Sequence, residues 1–364
     1  MPRLAVQATI PQVMAWGGFG PKDAGLIVAL HSVAAIATIY AYDGLRQRYS
    51  AHKITVAGGV LSAIGMLSVA TIPGPEWLWL TFSLLGGCGW AMFSLRGPQE
   101  LIDLRPPFER VSSLRAVAQG PVMAALLVPP LTLVLAEAFG WKAILVLYSL
   151  VIGASALLFS KVSSFQSRDS FRKRRIEPTG LRLSEWMVTS GAVLSGFVAG
   201  LLNAHLVLIV QSVQSGLTWL VAWVGLSGTL ALVSTYIWAG LHQAKRITTS
   251  MTYSLAVAIT VTAAAVLSSN GFLLLISSCV WPAVSIGLFM EIFLPGPSKA
   301  ANSRRDGQLI ILHLISGAAG AYLGGALAQT SGSYFAAFAT TALLALVHLA
   351  IRMPSNKDKR SQLD

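Results

Sequence analysis

Charged side chains are scarce in this sequence. Asp, Glu, Lys and Arg make up 11% of its 364 residues, whereas 54% are hydrophobic. A soluble domain carries nearer a quarter of charged residues because its whole surface meets water, so the composition excludes an ordinary soluble protein. Apolar runs of about 20 residues recur, and each can cross about 30 Å of hydrocarbon as a helix. Because lipid offers the backbone no hydrogen-bond partner, we predict an all-α polytopic membrane protein.

Several chemical signatures are missing as well. The two cysteines, Cys88 and Cys279, lie inside apolar segments, so they form neither a disulfide framework nor a metal-binding spacing. There is no glycine-rich phosphate loop and no convergent set of acid, base and nucleophile, which argues against an ATP-driven pump and against an enzyme. The N-terminus lacks the layout of a cleavable signal peptide. We therefore expect no catalytic residues, no bound metal and no cofactor.

The apolar runs divide into twelve predicted membrane spans. The first is about 14 residues long and gives only about 21 Å of helix. We therefore expect either that the encoded start lies inside the true first helix or that the protein is truncated. The predicted spans are residues 4–17, 24–42, 54–72, 78–103, 112–136, 141–160, 186–210, 217–240, 249–268, 271–294, 307–329 and 332–352.

The basic residues are distributed unevenly between the two sides of the predicted spans. A net charge of +12 could indicate a nucleic-acid partner, but of the 26 Lys and Arg residues only Lys22 and Lys142 fall in loops after odd-numbered spans. Positive charge collects in cytoplasmic loops. We therefore predict an integral protein of the plasma membrane (the inner membrane in a bacterium), with both termini cytoplasmic, the lipid bilayer around it and no nucleic-acid partner.

The longest polar stretch separates six spans from six. We predict an N-terminal six-helix bundle at 1–160, a basic cytoplasmic linker at 161–185, a C-terminal six-helix bundle at 186–352 and a cytoplasmic tail at 353–364. The linker's block Arg172–Arg175 suits a solvated segment near anionic lipid head groups.

The two halves echo each other in sequence. Several matches in order, at nearly one offset, indicate duplication of a six-helix unit. Each copy starts and ends in the cytoplasm, so the halves are parallel repeats, which in transporters place the substrate between the halves near the midplane. An offset of 191 carries "CGW" at 88–90 to "CVW" at 279–281, Ser94 to Ser285 and Glu100 to Glu291, and the echo includes Gly140 with Gly332 and "GLRQ" at 44–47 with "GLHQ" at 240–243.

The loop after the second span resembles a motif of the major facilitator superfamily, G-x-L-x-D-R-x-G-x-R-R. Leu45, Arg48 and Lys53 match it, whereas Asp43 and Gln47 stand where the family has Gly and Asp. The resemblance implies twelve transmembrane helices in two pseudo-symmetric six-helix bundles that work by alternating access. Further similar stretches are Pro129-Pro130 with Phe139-Gly140-Trp141 at the fifth-to-sixth junction and Glu109-Arg110 before the fifth helix.

The same resemblance implies gating residues. An acid at the end of the fourth helix, Glu100 or Asp103, pairs with Arg48 as a latch in one conformation. Gln47 lacks the charge that would complement a helix N-terminus, so we expect this latch to be weak. Glu291 occupies the equivalent place in the second half, near Arg304 and Arg305. The predicted gating residues are Asp43, Gly44, Gln47, Arg48, Lys53, Glu100, Asp103, Arg110 and Glu291.

Polar groups within spans are candidates for the substrate cavity because their burial is costly. Arg96 either reaches the cytoplasmic interface while pairing with Glu100 or attracts an anion, since its guanidinium binds two oxygens. Among the histidines within spans we favour His205, because the resemblance places the seventh helix on the cavity and its titration range suits proton coupling. The predicted cavity residues are Gln7, Gln12, Trp90, Arg96, Asn203, His205, Trp281 and Ser285; the alternative for each is helix packing.

These features favour a secondary or facilitated transporter of a small organic solute that works by alternating access, with an organic anion preferred and a proton or another ion as possible coupling partner. A drug-like efflux transporter is the alternative within the same class. A non-transporting membrane sensor of the same fold is the alternative outside it, and a membrane enzyme is disfavoured. We expect a monomer.

Overall fold

The computed structural model describes residues 2–71, 76–96, 123–124, 126–161, 183–293 and 303–352. Regular structure in these residues is helical, and they contain no strand. The helices are α1 Pro2–Gly17, α2 Pro21–Arg48, α3 Ala51–Thr71, α4 Glu76–Trp90 followed by a π-helical turn Ala91–Arg96, α5 Leu126–Phe139, α6 Trp141–Lys161, α7 Leu183–Val213, α8 Leu217–Gln243, α9 Ile247–Ser268, α10 Gly271–Phe293, α11 Ser303–Ser331 and α12 Phe335–Arg352.

Nine helices in the described ranges are long and apolar enough to cross a membrane: α2, α3, α6 and α7 to α12. Two further apolar stretches, Ser83–Phe93 and Leu126–Phe139, are shorter. The prediction of an all-helical membrane protein is thereby confirmed. The arrangement of twelve spans in two bundles stays a prediction.

The predicted loop after the second span is mostly helix. The apolar run ends at Tyr42, yet α2 continues to Arg48 and α3 begins at Ala51. Leu, Arg and Gln are good helix formers whether or not lipid surrounds them, so the helix outlasts the hydrophobic stretch. The Ser50 hydroxyl then accepts the Lys53 N–H at 3.3 Å, which caps the first turn of α3.

The buried apolar side chains form two large clusters. One contains Met66 of α3, Leu145 of α6 and Val13 of α1. The other joins α7 to α12 and also contains Ala8 of α1 and Leu133 of α5. Its largest fully buried side chains include Trp281 and Phe338. Helix α11 packs against α7 of the second core and also against α2. This pairing of α2 with α11 connects the chain before the linker to the chain after it.

The echo in sequence has counterparts in the backbone. Gly140 precedes α6 with φ +81°, and Gly332 lies just before α12 with φ +70°. Both are left-handed conformations that favour glycine. The start of α3 also contacts the end of α6, where His52 Nε2 is 3.3 Å from the Ser160 carbonyl. Likewise the start of α9 contacts the end of α12, where Arg352 donates to the Thr248 carbonyl at 3.3 Å.

Helices α7 and α11 cross with their backbones in contact. A Cβ added at Gly200 would lie 1.8 Å from the Gly317 carbonyl oxygen, and one at Gly320 would lie 2.2 Å from the Phe197 oxygen. Small residues allow such close approach in membranes, where van der Waals packing drives helix association.

Replacing Gly200 by Leu should therefore prevent this crossing and cost about 3 kcal/mol of folding free energy or more. The measurement is the Tm and the yield of monodisperse protein in detergent. Gly240→Leu is the matched control, because a Cβ there meets nothing within 4 Å and its Tm should stay near that of the parent. Equal Tm values for the two variants would contradict the crossing.

Candidate functional site: the contact between α2 and α11

Helices α2 and α11 touch through glycines near the end of the molecule that we predict to face outside. A Cβ at Gly25 would lie 2.2 Å from the Ala321 carbonyl oxygen, and a Cβ at Gly325 would lie 2.2 Å from the Pro21 oxygen. Each helix thus presents a glycine to a backbone carbonyl of the other. No side chain separates the two backbones at these points.

Polar groups flank the glycine contact. The Gln329 side-chain oxygen accepts the Lys22 N–H at 3.2 Å. The Lys22 ammonium lies 5.8 Å from the centre of the Tyr322 ring, within reach of a cation–π interaction. The Asp23 carboxylate accepts the Gly20 N–H at 2.8 Å and so caps the start of α2. Exposed contacts of this kind add little free energy, so the glycine contact dominates this end.

The contact continues along α2 as an apolar cluster. Ala35 and Ile39 of α2, Ala91 of the π-helical turn and Leu314 of α11 are buried together. Trp90 packs against this cluster, and its ring centre is 5.7 Å from that of His31 on α2. The predicted cavity residue Trp90 is therefore brought to the α2–α11 contact. A π-helical turn follows it directly, a feature often found at functional sites.

The other predicted cavity residues do not all converge there. Trp281 is 1% exposed inside the second core and donates its ring N–H to the Thr262 hydroxyl at 2.8 Å. The Ser285 hydroxyl is 3.1 Å from that of Ser195, between α10 and α7. His205 is fully buried between α7 and α11, and Asn203 is half-buried.

Gln12 is also half-buried, and its side-chain oxygen accepts no hydrogen bond within the described part of the chain. The side chains of Gln7 and Arg96 lie outside the described residues, so the two interpretations of Arg96 remain open.

The predicted latch of the first half falls partly outside the described residues. Gln47, Arg48 and Lys53 are exposed, and Gly44 has open space where a Cβ would stand. The described ranges do not include Glu100, Asp103, Arg110 or the side chain of Asp43. The pairing of Arg48 with Glu100 stays a prediction.

In the second half, Glu291 forms an ion pair with Arg352 at the end of α12. The side chains are 10% and 4% exposed respectively. Arg352 also donates through Nε to His348 Nε2 at 2.8 Å. The predicted neighbours Arg304 and Arg305 have no described side chains. The pair ties α10 to α12, and through Thr248 to α9.

The hydrogen bonds fix the protonation of His348. Arginine only donates, so His348 Nε2 is an acceptor without a proton. The proton of the neutral ring is then on Nδ1, which lies 2.8 Å from the Ser190 hydroxyl. That hydroxyl donates to the Met187 carbonyl at 3.0 Å. A continuous polar chain thus runs from α10 through α12 to α7 inside the second half.

A family model described as Major Facilitator Superfamily matches residues 4–312. The chain belongs to the major facilitator superfamily. It is therefore an integral membrane protein of a family whose members are generally transporters rather than enzymes. Among the curated proteins compared with it, none matches significantly. Membership of the superfamily indicates neither the substrate nor the coupling ion.

Two features of this superfamily member were missed by the sequence analysis. Arg352 was counted only as a base near the tail. A usable signal existed, since the offset that carries Glu100 to Glu291 also carries Lys161 to Arg352. Gly25 gave no signal, because a single glycine in an apolar run does not reveal which helix approaches it.

Proposed function

We propose that this protein is a secondary or facilitated transporter of a small organic solute. Two six-helix halves, 1–160 and 186–352, would rock about a central site and expose it alternately to each side. The preferred substrate is an organic anion, because Arg96 stands in a span next to a strongly basic cytoplasmic side. The protein would reside in the plasma membrane as a monomer.

The observation that supports this proposal is the contrast between two sets of contacts. Glycines and apolar side chains make the described contact of α2 with α11, and separating such surfaces leaves no buried charge without its partner. The helices after the linker also meet through glycines, where α7 crosses α11, but a buried ion pair and a polar chain join them in addition. Breaking one partner of a buried pair costs about 3–5 kcal/mol. Alternating access requires that each half stays intact while the interface between the halves opens.

The test is flux in proteoliposomes. Purified protein would be screened by thermal shift against organic anions, neutral metabolites and lipophilic cationic drugs, and every stabilising compound would be assayed for uptake with and without an imposed pH gradient. Uptake of an anion above that of protein-free liposomes supports the proposal. Flux of drugs alone supports the efflux alternative, whereas binding without flux supports a sensor.

Arg96→Ala should lower the uptake of a transported anion at least tenfold if the guanidinium binds it, because a hydrogen bond to a charged group contributes about 1.5–3 kcal/mol. Lys161→Ala is the control, since Lys161 is an exposed base on the predicted cytoplasmic side that belongs to neither the predicted cavity nor the predicted gate. Unchanged anion uptake by a folded Arg96→Ala protein would leave only the interfacial interpretation of Arg96.

The predicted orientation can be tested separately. Lys142 lies 4.6 Å from the Trp16 ring centre, as expected of a cation beside aromatic residues at a membrane interface. In a chain with Cys88 and Cys279 replaced by Ser, Lys142→Cys should react with a membrane-impermeant maleimide added to intact cells. Lys53→Cys should react only after lysis. The opposite pattern would reverse the topology.

A further inference from the structure

His205 has both ring nitrogens engaged by groups from other elements. Its Nε2 is 2.8 Å from the Ala321 carbonyl oxygen of α11. A carbonyl only accepts, so Nε2 carries the proton. Nδ1 of the neutral ring is then the acceptor, and it lies 3.3 Å from the Tyr334 hydroxyl. A tyrosine hydroxyl carries its proton at neutral pH, so Tyr334 donates to Nδ1.

The carbonyl that His205 binds is the one that meets α2. A Cβ at Gly25 would lie 2.2 Å from the oxygen of Ala321. In an α-helix this carbonyl also accepts the N–H four residues on, which belongs to Gly325, and Gly325 packs against Pro21 of α2. The side chains of Val28, Ala204 and Ala321 form one buried cluster at the same place. Helices α2, α7 and α11 thus meet at a single peptide group.

We propose that His205 is a positioning residue for the contact between the two halves. Its Nε2 proton holds the Ala321 carbonyl in the orientation against which α2 closes, and the Tyr334 hydroxyl holds the ring in the tautomer that can donate. This role rests on the proposed function, in which the α2–α11 contact opens and closes. It differs from the cavity role that we predicted for His205, because the ring is fully buried and binds backbone rather than lining open space.

The expected effect of losing this bond is a shift toward the separated state. A carbonyl with one hydrogen-bond donor fewer is less restrained, and interhelical hydrogen bonds in membranes contribute about 0.6–1.7 kcal/mol. That range corresponds to about a threefold to seventeenfold change in the ratio of closed to separated protein. His205→Phe removes the donor while keeping a ring, and Tyr334→Phe removes only the bond that fixes the tautomer.

The experiment measures the opening of the contact directly and needs no transported compound. Val28 is 4% exposed, so in a Cys88→Ser, Cys279→Ser background a cysteine at position 28 reacts with maleimide only when α2 and α11 separate. His205→Phe should raise the alkylation rate at least threefold, and Tyr334→Phe should raise it in the same direction by less. His205→Gln, whose amide can donate in place of Nε2, should stay nearer to the parent.

Ser195→Ala is the matched control. It removes a buried hydrogen bond of α7 to Ser285 of α10, within the second half, and should leave the alkylation rate unchanged. If Ser195→Ala raises the rate as much as His205→Phe, or if Tyr334→Phe and folded His205→Phe both react at the parental rate, the positioning role is overturned. If His205→Phe does not fold, Tyr334→Phe decides alone. Because the readout is separation of helices, absence of flux would count against the proposed function and not against this role.

Discussion

Gly25→Leu is expected to abolish transport while leaving the protein folded. The added side chain would meet the Ala321 carbonyl, with its first atom 2.2 Å from the oxygen. The obstacle is backbone, which cannot rotate away as a side chain can. Helix α2 must therefore stay apart from α11 at this end. A transporter that cannot close one side completes no cycle, so we expect uptake to fall at least a hundredfold, with Gly25→Ala giving a smaller loss.

The measurement combines uptake in proteoliposomes with gel filtration and circular dichroism. Ala37→Leu is the control on the same helix, because Ala37 is exposed and belongs to neither the predicted cavity nor the predicted gate, and it should transport at the parental rate. Gly325→Leu should repeat the effect of Gly25→Leu from the other helix, since it meets the Pro21 carbonyl. A folded Gly25→Leu protein with parental uptake would show that the contact never has to close.

The second large effect concerns Arg352. Arg352→Leu leaves Glu291 buried without its cation, and removing one partner of a buried ion pair costs about 3–5 kcal/mol. We expect a corresponding loss of folded protein and a Tm lower by several degrees. Replacing both residues by Leu should restore part of the lost stability, because no unpaired charge then remains. Thermal unfolding of the two single variants and the double variant forms a double-mutant cycle.

Lys161→Leu provides the comparison for this cycle. Lys161 occupies the position that the predicted repeat relates to Arg352 and is exposed, so its replacement should change the Tm very little. Additive losses in the cycle, with no coupling between Glu291 and Arg352, would mean that the ion pair does not hold the second half together.

The span assignments follow from hydropathy because crossing lipid requires about 20 apolar residues. Trp141–Lys161 and Gly271–Phe293 lie within a residue or two of the predicted limits. The end of α2 was missed, since hydropathy marks where lipid ends and not where the helix ends. Neighbouring helices could not be predicted in the same way. In a membrane, the helix faces toward lipid and toward protein are both apolar. The sequence around a residue such as Gly25 therefore does not indicate which helix packs against it.

Individual residues of the candidate site could be predicted from the sequence, but their contacts could not. Glu291 was predicted to be a gating residue near Arg304 and Arg305, whereas its partner in the structure, Arg352, lies 61 residues away in sequence. The predicted repeat relates Trp90 to Trp281, yet the Trp90 ring lies beside His31 and Trp281 donates to Thr262. A repeat preserves the position of a residue along its helix. It does not preserve the identity of the side chains that surround that residue.

The π-helical turn at Ala91–Arg96 changes which residues share a face with those of α4. Each turn there includes an extra residue, because the hydrogen bonds join residues five apart. A helical wheel that begins in α4 is thus out of phase by roughly one position, or about 100°, once it has passed the turn. Side chains that would share a stripe in a uniform α-helix point to different sides of it. Residues spaced four apart from Trp90 therefore stop sharing one face of the helix where the π-helical turn begins.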